Sequence, residues 1–266
     1  GLWMEAERML HPVINQIGVD TQNEVVKEEK RLRVDNQPYG NFLAEVKKNI
    51  FTKHPYRWAT IGSMSHLDAA TLEEFQAFNK KFYVPNNAVL VVAGDFKNEQ
   101  AKGWIQKYFG PIKKGAAIQR EVFVEEPITQ TIKARFEDTN IQIPAIVAAY
   151  RTPSMKTRDA RVLDLISSIL SDGKSSRLYK KIVDDKKMAL QIGAFSNSQE
   201  DYGSYIIYGL PQAPNTAENI LAEIDAEIVN LQTELISEKD LQKLQNKFEN
   251  QYVNSNSTID GIADNL

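Results

Sequence analysis

Apolar residues recur at helical spacing over most of the chain and change to strand-like patterns in only a few places. Residues 2–14 carry Leu2, Met9, Leu10 and Val13 with charges between them, which suits a helix stopped by Gly18. Asp20 or Thr21 is placed to cap a second helix, running through VVKEEKRLR to about Val34. Pro38 and Gly40 mark a turn, a short helix is predicted from Phe42 to Ile50, and HPYRWATIG (54–62) reads as a loop. Thr71-Leu72-Glu73-Glu74 has the form of a capping box, and Leu72, Phe75, Phe78 and Phe82 follow at helical spacing. The run Ala88–Ala93 is apolar without alternation, the pattern of a strand buried on both faces. Asn98 can open a helix with Ala101, Trp104, Ile105 and Tyr108 inward, ended by Gly110-Pro111.

Residues 111–130 lose all periodicity, and a domain boundary is expected there, near residue 125. Beyond it, 141–150 alternates as a half-buried strand, and Val162, Leu163, Ile166, Ile169 and Leu170 make a helix face. Two strands are expected over about 189–196 and 202–210. Two long helices close the chain. The first carries Ile220, Leu221, Ile224, Ile228 and Leu231; the second starts at a Ser237…Asp240 box and carries Leu241, Leu244, Phe248 and Tyr252. Strands and helices without strict alternation predict an α+β fold: two-layer domains, residues 1–125 and 126–266, with helices packed on a mixed, mainly antiparallel sheet.

Composition narrows the chemistry. At 266 residues, 42% hydrophobic and 25% charged, the chain has ordinary globular content and the length for a sizeable core. A net charge of −3 gives no electrostatic case for nucleic acid or an anionic membrane as partner. The longest apolar run, Ala88–Ala93, is far too short to span a bilayer. The absence of cysteine excludes disulfides, thiol nucleophiles and Cys-ligated metal.

Three places invite a chemical reading. GKSS (173–176) falls short of a Walker A loop, because the position five residues before its glycine is Ser168; a glycine ending one helix before another begins accounts for it. His11, His54 and His66 form no HxxEH or HExxH pair, and the prolines after His11 and His54 suit loop or helix-end roles. Glu28 and Glu29 are adjacent on a helix and point about 100° apart. Glu28 shares a charged face with Glu24 and Arg31. Glu29 shares a face with Val25, Val26 and Leu32, where a carboxylate is costly unless paired or metal-bound. Spacing alone favours the simpler reading, an ion pair with Arg33 at i+4.

The stretch NEVVKEEKRLRVDNQPYG (23–40) resembles the segment that carries the third zinc ligand in the pitrilysin/insulinase family of metallopeptidases. These are the inverzincins, whose first two ligands lie on an HxxEH helix. LWMEAERM (2–9), HPYRWATIG (54–62), LEEFQAFNKKFYVPNNAVLVVAGDF (72–96), SSRLYKKI (175–182) and YGSYIIYGL are similar to further family segments in the same order. The resemblance makes Glu29 the zinc-ligating glutamate. Gln22 stands where the family often has a second glutamate. HxxEH itself is absent, and the family would place it before Gly1.

The resemblance implies a fragment of a zinc metalloendopeptidase. In the intact protein Zn²⁺ would be held by two histidines and one glutamate, with a fourth position for water. The fragment itself is expected to hold no zinc and to be inactive. Its implied partners are a peptide or unfolded polypeptide substrate and the missing N- and C-terminal segments, or a homologous subunit. The alternative is a non-catalytic peptide-binding or scaffold member that pairs with an active subunit. A periplasmic, cell-envelope or organellar setting is suggested by the family alone.

Overall fold

A computed structural model describes all residues, 1–266. In chain order the elements are α1 (Leu2–Leu10), α2 (Gln16–Lys30), α3 (Phe42–Ile50), α4 (Met64–Ala69), α5 (Leu72–Phe82), α6 (Asn98–Phe109), β1 (Ile146–Pro153), α7 (Arg158–Ser171), β2 (Ala189–Ser198), β3 (Tyr202–Pro211), α8 (Ala217–Thr233), α9 (Glu238–Ser255) and α10 (Ile259–Asn265). The chain divides into two compact units that are discontinuous in sequence. The first holds residues 1–34, 60–122 and 251–266; the second holds 35–59 and 123–250. Residues 35–59 thus fall in the second unit and 251–266 in the first.

The second unit is α+β and owns the sheet. Its strand order is β1-β3-β2, with both pairs antiparallel. β3 is central and bonded on both sides, and the run from Gly203 to Ile207 is buried throughout. Tyr205 and Ile207 join Leu170 of α7, Ile220 and Ile224 of α8, and Ile182 in one core. The opposite face receives α3, where Phe42 meets Tyr208 edge-on at 6.1 Å. Tyr208 lies over Gly193 of β2, where a Cβ would sit 2.5 Å from the ring, so the close pairing requires glycine. SSRLYKKI runs into a π-helical turn, Tyr179–Asp185. Arg177 and Lys181, one turn apart, reach Glu227 at 3.1 Å and Glu223 at 3.3 Å on α8. That motif therefore ties its helix to α8 by charge above an apolar core.

The first unit is helical. Thr71 and Glu74 cap α5 reciprocally, as their spacing requires. Two expectations fail here. Gly18 does not stop a helix but sits in the first turn of α2, because Asn15 accepts its N–H at 2.8 Å and caps the helix earlier than Asp20 or Thr21 could. Ala88–Ala93 forms no ladder, and all three strands of the sheet belong to the second unit. Val89 is 90% exposed rather than buried. The buried apolar residues of this unit are Ala6, Val19, Val84 and Ala101, none larger than valine.

The core contrast predicts unequal mutational costs. Ile206→Ala, at a position with no exposed surface, should cost about 2–5 kcal/mol, whereas Val89→Ala should stay within about 0.5 kcal/mol. Urea denaturation of the two variants checks the difference.

Candidate functional site

Glu29 lies in the last turn of α2. Its carboxylate takes an ion pair from Arg33 at 2.7 Å, and its side chain is 40% exposed. Glu28 pairs with Arg31 at 3.1 Å, and Lys27 bridges Glu24 and Asp68. Of the apolar neighbours that suggested burial, Val25 and Leu32 are exposed and Val26 is half-buried. Glu29 therefore occupies an accessible face, where its cost of desolvation is small. Past Lys30 the helix widens into a π turn, Arg31–Asp35. Gln22, two turns before Glu29, is exposed as well.

The histidines are not brought to Glu29. His11 Nδ1 is 2.8 Å from Glu7 on an exposed face of α1. His66 lies in α4, where its backbone N–H meets Ser63. His54 starts a 3₁₀ turn, its Nδ1 accepting the Tyr56 N–H at 3.2 Å and its Nε2 facing Asp201 at 3.2 Å. No group of three or more His, Cys, Asp or Glu is placed to hold a metal ion. Glu29 is one oxygen donor already engaged by a guanidinium, and by itself it does not constitute a zinc site. GKSS follows its simpler reading: Gly173 has φ +73° just after α7.

The buried charged centre of the second unit was not legible beforehand. Glu125 lies in an irregular segment, with its side chain almost fully enclosed. One oxygen accepts the backbone N–H groups of Thr52, Lys53 and His54 at 2.7–2.8 Å. The other accepts the Thr52 hydroxyl at 2.9 Å and Arg151 Nη1 at 2.9 Å. Arg151, on β1, also donates to the carbonyls of Ile50 and Glu126. Phe51, Tyr56, Phe123 and Tyr202 ring His54. Burial alone pushes the Glu125 carboxyl up, but the N–H groups of His54 and Lys53 and both donors of Thr52 outweigh it and hold it at about 2. This centre fixes the HPYRW segment to the sheet. Glu125 sits 71–73 residues from the loop positions it holds, and no local pattern announces such a pairing.

The comparisons with known proteins agree with one another. The sequence model described as peptidase M16 inactive domain matches residues 69–248. A zinc protease PqqE of Helicobacter pylori is 31% identical over 84% of this chain and 51% of its own length. An uncharacterized zinc protease YmxG of Bacillus subtilis is 22% identical over 89% of this chain and 56% of its own. The chain thus spans about half the length of these curated relatives. Among solved structures, a protease from Helicobacter pylori superposes with TM-score 0.85 at 25% identity, covering 99% of this chain and 64% of that one. A peptidase M16 inactive domain from Pseudomonas fluorescens shares the fold, with TM-score 0.78 at 17% identity, covering 99% and 62%.

Glu125 makes a prediction about pH. The carboxyl titrates near 4.5 when unfolded and at about 2 when folded, a difference worth roughly 3 kcal/mol. Its folded value is depressed, so its stabilisation is complete above about pH 5 and is lost as pH falls toward 2. Glu125→Gln should lower stability at neutral pH by a similar roughly 3 kcal/mol and should flatten the acid limb of a stability–pH curve. An unchanged acid limb in the variant would show that other groups carry it.

Proposed function

The chain belongs to the peptidase M16 family, and we propose that it is the portion of a zinc metalloendopeptidase that supplies one metal ligand, Glu29, and a supporting second domain. The single observation behind this reading is the accessible Glu29 on α2, in a chain whose relatives are named zinc proteases. A carboxylate held only by an exposed ion pair is free to exchange Arg33 for a stronger cation, because such a pair is worth about 1 kcal/mol at most. The other ligands and the general base would come from residues outside these 266. Zinc bound in such a set would supply an activated water and polarise the scissile carbonyl of a peptide. This chain's own contribution is one oxygen donor and the fold that aims it. By itself it is inactive.

Two observations favour a second reading. The matching family model is that of the inactive domain, and Gln22 replaces the glutamate often present seven residues before the ligand. On this reading the chain is a non-catalytic peptide-binding or scaffold half paired with an active subunit.

Peptide hydrolysis by the longer parent polypeptide, with and without chelator, separates the two. The first reading predicts chelator-sensitive cleavage that Glu29→Gln reduces by more than the roughly 10–100-fold typical of losing a supporting contact. Cleavage that survives both chelator and Glu29→Gln contradicts it. No cleavage at all assigns the chain to the second reading.

A further inference from the structure

The GKSS turn is not a Walker A loop, yet it borders a pocket with the kind of donors such a loop supplies. The pocket lies within the second unit, where the end of α7, residues 173–176 and α9 meet, and its volume is about 50 Å³. One water needs roughly 10–15 Å³ of such space, so about three or four oxygen-sized atoms fit. Gly173, at φ +73°, turns the chain out of α7, and Ser175 and Ser176 line the pocket after it. Lys243 and Lys247, one turn apart on α9, line it as well. Lys243 Nζ donates to Ser175 Oγ at 2.6 Å. Lys247 Nζ donates to Ser168 Oγ at 2.8 Å and to Asp172.

Two groups in this lining are left unbalanced. No carboxylate pairs with Lys243, whose ammonium meets only the neutral Ser175 hydroxyl. Ser176 is 3% exposed, and its buried hydroxyl has no hydrogen-bond partner. A buried donor left without a partner is costly. The other charges are already answered. Lys247 is tied to Asp172, and Arg177 to Glu227. Asp240 accepts the Ser237 hydroxyl at 2.8 Å and sits in the first turn of α9, where the helix dipole favours a carboxylate. What remains unmet is one ammonium and one hydroxyl, in a space of oxyanion size. A group with several acceptor oxygens and negative charge satisfies both at once.

We propose that the GKSS turn and α9 form a binding site for a phosphate group, with Lys243 as its charge partner and the Ser175 and Ser176 hydroxyls as donors. The phosphate is either the free ion or the end of a small phosphomonoester. Its binding ties residues 173–176 to α9 and so stabilises the second unit. The site shares no residue with Glu29, and it stands whether or not the parent protein is an active peptidase.

Titration calorimetry of the 266-residue chain at constant ionic strength, with inorganic phosphate, O-phosphoserine and acetate as probes, tests the site. A phosphate compound should bind, and acetate should bind at least about tenfold more weakly. Tighter binding of phosphoserine would identify an ester as the preferred form, and tighter binding of inorganic phosphate the free ion. Lys243→Met, at an exposed position, should weaken phosphate binding at least about tenfold through loss of a charge-assisted hydrogen bond. Ser176→Ala should weaken it severalfold, yet melt no lower than the parent without phosphate, because it removes an unmet donor. Phosphate should raise the melting temperature of the parent chain by more than that of either variant. Three results overturn the proposal. One is no binding, or binding no tighter than acetate. Another is undiminished phosphate affinity in both variants, which would mean an adventitious ion only. The third is a Ser176→Ala chain that melts below the parent in phosphate-free buffer, which would make the hydroxyl a structural group. None of these readouts involves zinc or peptide hydrolysis.

Discussion

Apolar strands must find partners for their backbone groups, and that requirement governs both units. In the second unit β3 meets it completely, with β1 on one side and β2 on the other. The pairing brings Tyr205 and Ile207 onto α7 and α8 and allows Ile206 to be fully buried. In the first unit Ala88–Ala93 carries the same kind of sequence and forms no ladder; Val89 and Val91 are exposed, and the unit's buried apolar side chains are all small. The difference in burial between the units follows from the bonding of two short runs.

Charge finishes what the sheet begins. Glu125 gathers three consecutive backbone N–H groups, a hydroxyl and Arg151, which turns an irregular crossing into a fixed junction between the HPYRW segment and β1. Glu227 and Glu223 do the same for the helix that carries SSRLYKKI. Glu29 stands apart from these. Its partner Arg33 is one turn away and exposed, so the pair adds little stability and leaves the carboxylate available. Glu29 thus differs from the enclosed structural carboxylates Glu125, Glu223 and Glu227, and shares its openness with Glu24 and Glu28.

Local signals were legible and distant ones were not. The Thr71–Glu74 box, the Phe42–Ile50 helix and the strands β2 and β3 follow from spacing within a dozen or so residues. The α2 start was misplaced because Gly18 looks like a stop until Asn15 is seen to bind its N–H. Glu125 escaped notice because its partners at 52–54 lie far away in the chain. Ala88–Ala93 has the composition of a buried strand, but pairing depends on a second segment, and here the run forms no ladder and leaves Val89 exposed. At Glu29 the ion pair with Arg33 followed from i+4 spacing. Its assignment as a ligand came from the resemblance of its surroundings to a family, to which the match over 69–248 shows the chain to belong.

The central claim is that Glu29 is one donor of a zinc site whose other donors lie beyond these residues. Metal content measured by elemental analysis tests it most directly. The account predicts one zinc per molecule in the longer polypeptide, with loss of that zinc in its Glu29→Gln variant. Undiminished zinc in the variant, or stoichiometric zinc in the 266-residue chain alone, would contradict it.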